Sequence, residues 1–297
     1  MARLLNVPEP EPGFPFVDTH CHVADRNFKR SLPSPAKQLA DYQEAGGQFL
    51  IVCSIDMESA RDGLVFAKGS KNVYFSCGWA PQTVTFTPVD KYEREFAEWT
   101  RFIETNIDAI IAFGEIGLDF HHAKTLEKRD SQIKAFDDIL SIIAPKKKPI
   151  VLHVRNAGPG DVDYGHPDHA YNKPEGAARV VLAKLESHGI PPSMVLFHCY
   201  SGPASMNDEL ARQGFWFSVP SSAFGIERWN KVSRTLPLDR LVTETDSPFQ
   251  HPRSMEPVNV PANARYAVAA IAHARNMAQG IVAKKTVENA KRFFQIN

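Results

Sequence analysis

The stretch AIIAFGEI, residues 109–116, opens the segment that decides the fold. It is followed by a long stretch of mixed polar and apolar residues, TLEKRDSQIKAFDDILSII at 125–143. Another short apolar run, PIVLHV, then occupies 149–154. The two short runs are typical of buried strands, whereas the long run spaces its apolar residues at helical intervals. A strand, a helix and a further strand form the unit from which parallel α/β sheets are built.

The same alternation continues along the whole chain. Eight apolar runs that predict strands are FPFVDTH (14–20), QFLIVCS (48–54), NVYFSCG (72–78), AIIAFGEI (109–116), PIVLHV (149–154), MVLFHC (194–199), FWFSVP (215–220) and RLVTET (240–245). Eight strand–helix units in 297 residues predict an α/β fold, a (β/α)8 TIM barrel in a single domain. A doubly wound open sheet is the alternative, although no Gly-rich phosphate loop follows the first strand. We expect residues 1–13 to form an N-terminal extension and 14–297 to form the barrel.

Composition limits the classes of function. Lys plus Arg equals Asp plus Glu at 34 each, so the net charge is zero and no global field attracts nucleic acid. The N-terminal stretch MARLLNVPEPEPGF reaches Pro and Glu before an apolar core of a signal peptide can form. Four scattered cysteines do not suggest a disulfide framework. We therefore expect a reduced, cytoplasmic protein without a membrane partner, and protein partners stay unknown.

Polar residues that can bind metals follow the predicted strands. In TIM barrels the active site lies where the strands end at their carboxyl side. The residues at these ends are His20, His22, Glu115, His153, His198 and Asp246. All six offer imidazole or carboxylate groups, which are ligands for divalent transition metals.

Each of these residues has an ordinary structural interpretation when it is taken alone. His153 and His198 follow apolar runs and are compatible with buried core histidines. Glu115 lies between two glycines and is compatible with a turn, and Asp246 before Ser-Pro is compatible with a helix N-cap. Four to six such coincidences at one rim of a barrel are much less expected than one metal site, so we favour a metal site.

A set of motifs gives the chain a family resemblance. In order, they are H-x-H (20–22), GEIGLDF (114–120), HVRNA (153–157), HCYSG (198–202) and ETDSPF (244–249). With this set the sequence resembles the TatD family of metal-dependent hydrolases, many of which are deoxyribonucleases, within the amidohydrolase superfamily. The resemblance extends from residue 16 to TVENAKRFF near the C-terminus.

The resemblance implies two bound divalent metal ions, which are zinc, magnesium or manganese. One ion would be held by His20, His22 and Asp246, and the other by His153 and His198, with Glu115 as the bridge. The catalytic residues would be Glu115 and Asp246, and Asp246 would act as the general base on a metal-activated water. Asp119 and Glu244 would orient the ligands.

Substrate contacts are predicted from residues near these ligands. Arg155 lies two residues after His153, and its fork of donors suits a phosphate, although a structural salt bridge is the alternative. Ser201 would offer a loop to phosphate oxygens or would simply form a turn. The implied substrate is DNA or a small phosphodiester.

Two features depart from the family pattern. The family commonly reads Gly-x-His-Pro after its third strand, but here CGWAP (77–81) places Ala80 at the position of the histidine. A long loop, 156–176, also follows the fifth strand and carries His166 and His169. We expect this loop either to cover the site and supply the missing imidazole or to be a solvated surface loop.

The resemblance thus implies a hydrolase that cleaves DNA phosphodiesters, with a 3′–5′ exonuclease-like action. An amidohydrolase-like enzyme that acts on a small amide, ester or lactone is one alternative, because a metal polarises a carbonyl equally well. A non-catalytic subunit of a larger assembly is another.

Overall fold

The computed structural model of the chain describes residues 6–25, 32–158, 175–200, 202, 204–253 and 258–297. Eight strands form one sheet, and every neighbouring pair along the chain is parallel. The strands are β1 (Phe16–Cys21), β2 (Gly47–Cys53), β3 (Val73–Ser76), β4 (Ile110–Asp119), β5 (Ile150–Arg155), β6 (Val195–Phe197), β7 (Trp216–Pro220) and β8 (Leu241–Glu244). Each overlaps one predicted strand, so the predicted (β/α)8 TIM barrel is confirmed.

Helices separate the strands. They are α1 (Pro35–Glu44), α2 (Met57–Lys68), α3 (Pro81–Phe86), α4 (Val89–Asn106), α5 (Leu126–Ile143), α6 (Gly176–Ser187), α7 (Ala204–Gln213), α8 (Glu227–Thr235), α9 (Ala264–Arg275) and α10 (Gln279–Phe294). Helix α5 shows why the sequence takes this form. Thr125 caps its first turn by accepting from the backbone N–H of Lys128, and its apolar residues at helical spacing are buried against the sheet.

The barrel closes through side-chain hydrogen bonds between β8 and β1. The hydroxyl of Thr19 donates to the carbonyl of Thr243 at 3.0 Å, and the hydroxyl of Thr243 donates to the carbonyl of Val17 at 2.8 Å. A single parallel bridge joins Cys21 to Ser247. Because the first and last strands contact each other, the sheet is a nearly closed barrel and the open-sheet alternative is wrong.

An apolar cluster fills one end of the barrel. Its buried members come from seven of the strands and from α10, and they include Val17, Ile51, Ala112, Val151, Leu196, Trp216, Val242, Phe293 and Phe294. The amide of Asn289 in α10 donates to the carbonyl of Leu241, where β8 begins. Helix α10 therefore covers the end where the strands begin, and the carboxyl ends of the strands are left for polar groups.

The described part of the predicted N-terminal extension packs on the C-terminal helices. Val7 is buried in a small cluster with Phe224 and Ala269. The side chain of Gln279 donates to the carbonyl of Glu9 and accepts from the backbone N–H of Glu11. The boundary at residues 13 and 14 stays a prediction. Among the described residues, no helix has both the length and the apolar character needed to cross a bilayer.

Candidate metal centre

The first group of predicted ligands joins the two ends of the sheet. The Nε2 atoms of His20 and His22 lie 3.2 Å apart, and Asp246 Oδ1 lies 3.6 and 3.5 Å from them, respectively. The backbone holds this arrangement, because the N–H of Asp246 donates to the carbonyl of His20 at 2.9 Å. Asp246 has a φ of 56°, an unfavourable angle for a residue with a Cβ, and it caps no helix. Strain of this kind clusters at functional sites.

The second group lies around the carboxylate of Glu115. Its Oε2 atom is 2.9 Å from His198 Nε2 and 3.4 Å from His153 Nδ1, and these two nitrogens are 3.2 Å apart. The same oxygen is 3.6 Å from His20 Nε2. Glu115 therefore contacts both groups, as a bridging ligand must.

All six predicted ligands meet at one place. Their donor atoms form three overlapping groups of three, and within each group every pair of atoms lies within 4.8 Å. The groups are His20 with His198 and Asp246, His20 with His22 and Glu115, and Glu115 with His153 and His198. Several imidazole nitrogens that point at one another beside two carboxylates fit a divalent cation, because imidazole and carboxylate are its usual ligands. The chemistry of the donor set is thus compatible with a metal centre.

Protonation of the imidazoles differs across the site. Burial, together with the neighbouring histidines, holds the pKa of His20 well below its usual range, so this ring stays neutral. At His153 burial acts in the same direction, but the carboxylates of Asp119 and Glu115 outweigh it and raise the pKa to about 9. Because a metal binds neutral imidazole, metal binding must displace a proton from His153.

An irregularity in β4 places Glu115. The ladder between β4 and β5 pairs Phe113 with Ile150 and then Ile116 with Leu152, so β4 carries one extra residue at this point. The strand continues to Asp119, and Glu115 therefore lies inside it rather than after it or in a turn. Gly117 has a φ of 138°, and a Cβ there would lie 2.1 Å from the carbonyl oxygen of His153. Only glycine fits at that position.

Asp119 contacts Nε2 of His153, the ring nitrogen that points away from Glu115. Its Oδ2 atom lies 3.0 Å from His153 Nε2 and accepts from the amide of Gln82 at 2.9 Å. Although burial favours the neutral acid, the hydrogen bonds from His153 and His122 hold the pKa of Asp119 well below its usual range. Asp119 is therefore a carboxylate, and its position agrees with the orienting role that the sequence predicts.

Glu244 lies behind His198 in a comparable way. Its Oε1 atom is 3.6 Å from His198 Nδ1, and its Oε2 atom accepts a hydrogen bond of 2.6 Å from the hydroxyl of Ser218. On the other side of the site, His22 Nδ1 lies 3.2 Å from the carbonyl oxygen of Cys53. The contact with Cys53 can fix the orientation of the His22 ring, whereas Glu244 lies behind His198 at an ion-pair distance without a hydrogen bond.

Sequence reasoning missed Asp18, which is fully buried beneath the site. Its carboxyl accepts from the backbone N–H groups of His20 and Thr245 at 3.2 and 2.9 Å, and its second oxygen lies 2.6 Å from the hydroxyl of Thr245. The hydroxyl of Thr245 donates to that oxygen, and burial raises the pKa of Asp18 to about 8. The only signal was an acidic residue inside an otherwise apolar predicted strand.

A cleft of about 330 Å³ opens above the ligands. Arg155, the predicted phosphate contact, lines it, and no described side chain forms a salt bridge with this guanidinium. Two further residues that the sequence analysis missed, Gln82 and His122, also line it. Ala80 is buried and caps α3, so Gln82, two residues later, is the polar side chain that this segment presents to Asp119.

Three predicted substrate contacts cannot be placed. Ser201, His166 and His169 lie outside the described residues, as does most of the predicted loop at 156–176.

Comparisons with known proteins show the family of the chain. A family model described as TatD related DNase matches residues 17–295. The putative deoxyribonuclease tatdn3 of Danio rerio is 28% identical over 293 residues, which cover 94% of this chain and 97% of the relative. The uncharacterized metal-dependent hydrolase YabD of Bacillus subtilis is 25% identical over 284 residues, with 94% and 99% covered. The crystal structure of YJJV, a TatD homologue of Escherichia coli, superposes with a TM-score of 0.75 at 21% identity and covers 95% of this chain and 98% of its own.

Proposed function

The chain belongs to the family of TatD related DNases and is a metal-dependent hydrolase, and we propose that it cleaves the phosphodiester bonds of DNA from a strand end, in the 3′–5′ direction. The observation that carries the proposal is the position of Glu115 Oε2. This atom lies within 3.6 Å of nitrogens from both groups of ligands, so one carboxylate can serve two neighbouring cations. Two-metal sites of this kind are common in nucleases and phosphatases.

We propose that two divalent ions bind, one at His20, His22 and Asp246 and one at His153 and His198, with Glu115 shared. Histidine ligands favour zinc or manganese over magnesium. When bound, such ions supply Lewis acidity, which acidifies water and offsets the negative charge of a phosphodiester.

The residues of the chain would then divide the remaining work. Asp246 keeps 14% of its side chain exposed, compared with 8% for Glu115, the other predicted carboxylate ligand, and it lines the cleft. It is therefore the carboxylate that can reach a water and accept its proton as the general base. Asp119 and Glu244 would hold His153 and His198 in the orientation that binding requires.

The protein would contact only a few phosphates of its substrate. Arg155 offers a planar fork of donors at the cleft, which matches the geometry of a phosphate. Since the net charge is zero, no extended basic surface is expected to follow a long duplex. A few contacts near the centre suit the end of a strand. The deoxyribonuclease name of the zebrafish relative supports DNA as the substrate.

The test is a substrate panel on protein that has been stripped of metal and then reloaded with zinc, manganese or magnesium. The panel contains single-stranded DNA, duplex DNA with and without a 3′ overhang, a small phosphodiester, and a carboxylic ester and a lactone. We expect stepwise release of mononucleotides from 3′ ends, only in the presence of metal. Hydrolysis of the lactone or ester with no cleavage of DNA would replace the proposal by a small-molecule hydrolase that uses the same residues.

A further inference from the structure

His122 is held against the outer edge of the metal centre. Its Nδ1 atom lies 2.7 Å from Asp119 Oδ2, and its backbone N–H donates to Asp119 Oδ1 at 2.9 Å. The side chain remains 39% exposed and lines the same cleft as Arg155. A histidine fixed by two hydrogen bonds and open to the cleft is placed to meet a substrate.

The contact with Asp119 decides which ring nitrogen is available. Asp119 is a carboxylate and can only accept, so Nδ1 of His122 carries the hydrogen of this bond. No side chain in the described parts of the chain hydrogen-bonds to Nε2 of His122. Nε2 is therefore the nitrogen that faces the cleft, and it donates a hydrogen bond there when both ring nitrogens carry hydrogen.

The surroundings of His122 suit an anion. Besides Asp119, the ring of His122 contacts the His121 ring, at 5.1 Å between centroids, and the Phe86 ring, at 6.4 Å. The ammonium of Lys128 lies 5.6 Å from the centre of the Phe86 ring. Arg155 lines the cleft beside it. Asp119 is already engaged by three side chains, and the guanidinium groups of Arg155 and Arg228 line the same cleft.

We propose that His122 is a further substrate contact, which donates from Nε2 to the phosphate next to the scissile one. This inference rests on the proposed function. Asp119 Oδ2 separates the two rings, because His153 Nε2 and His122 Nδ1 both contact it. A phosphate held at the centre beside His153 is thus on the far side of this carboxylate from His122, and a neighbouring phosphate along the strand is the one within its reach.

Two variants separate substrate binding from support of Asp119. In His122→Asn the side-chain amide replaces Nδ1 and keeps a donor for Asp119 but removes Nε2. In His122→Gln the longer side chain returns a donor near the position of Nε2. His188→Asn is a control at a distance, since His188, at the end of α6 and outside the cleft, contacts Asp137 through its Nε2 atom at 2.9 Å.

The measurement compares KM and kcat on an oligonucleotide and on bis(p-nitrophenyl) phosphate, which has a single phosphate. We expect His122→Asn to raise KM for the oligonucleotide about 10- to 100-fold, as for a lost hydrogen bond to a charged group, and to leave the small diester unchanged. His122→Gln should recover part of this loss, and His188→Asn should behave as the wild type.

Equal losses on both substrates would mean that His122 acts only through Asp119, and an unchanged KM for the oligonucleotide would mean that it makes no contact; either result overturns the inference. If the wild type cleaves neither substrate, the proposed function fails instead. The affinity of the metal-loaded protein for a fluorescent oligonucleotide then tests His122 separately, and an equal affinity in His122→Asn contradicts the inference.

Discussion

Asp18 and Thr245 lie 227 residues apart in the chain, yet the carboxyl of Asp18 contacts both the backbone N–H and the hydroxyl of Thr245. The pair spans the closure of the barrel between β1 and the end of β8. It also fixes the segments that carry His20 and Asp246, two of the predicted ligands. The contact between Asp18 and Thr245 therefore both helps to close the barrel and holds His20 and Asp246 close together.

Replacement of Asp18 tests this link. Asp18→Ala leaves the buried N–H groups of His20 and Thr245 without an acceptor, at about 1–3 kcal/mol each. Asp18→Asn keeps an acceptor oxygen for both N–H groups and changes only the contact with the hydroxyl of Thr245, so its free energy of unfolding should lie closer to that of the wild type than that of Asp18→Ala. Urea denaturation of the metal-free proteins measures both. Equal stability of Asp18→Ala and the wild type would show that the closure does not depend on this pair.

Glu244 should control the affinity for metal without touching the metal. Glu244→Gln removes the charge behind His198 but keeps the hydrogen bond with Ser218. Loss of such partners lowers metal affinity by about 10- to 100-fold. Competition with a chromophoric chelator measures the affinity, and Glu186→Gln, an exposed residue of α6, is the control. Unchanged affinity in Glu244→Gln would assign Glu244 to packing alone.

Metal should stabilise the fold, because its ligands come from strands at both ends of the sheet. An ion present at 100 times its dissociation constant adds about 2.7 kcal/mol to the free energy of unfolding. We therefore expect chelation to lower the Tm by several degrees and re-addition of metal to restore it. His22→Ala should abolish part of this response. A Tm that does not change on chelation, while elemental analysis shows removal of bound metal, would contradict the prediction.

Binding of DNA should depend weakly on salt. With zero net charge, only phosphates near the centre are held, and the slope of log K against log salt concentration is about −0.7 for each phosphate contacted in a single strand. We expect a slope between about −1 and −3 in fluorescence anisotropy with the metal-loaded protein. A slope near −6 would require an extended basic track and would contradict this prediction.

The eight strands and the location of the site were accessible from the sequence. Parallel strands buried on both faces read as continuous apolar runs, and parallel topology brings their carboxyl ends together, so His20 and His198 were expected to meet. The position of Glu115 inside β4 was not accessible, because one extra residue in a strand leaves no periodic signal. The contacts of Gln82 and His122 were missed because they depend on the path of the backbone after β3 and β4.

The most direct test of the account is DNA hydrolysis by a pair of variants at the bridge. Metal-stripped wild type, Glu115→Gln and Glu115→Ala are reloaded with manganese, and metal content, circular dichroism and release of mononucleotides from a 3′-labelled oligonucleotide are measured together. For the wild type we predict up to two ions per chain and cleavage only when the protein is loaded with metal. For both variants we predict a folded barrel that binds less metal and does not cleave DNA. Metal-independent cleavage by the wild type, or full cleavage by Glu115→Ala, would contradict the account.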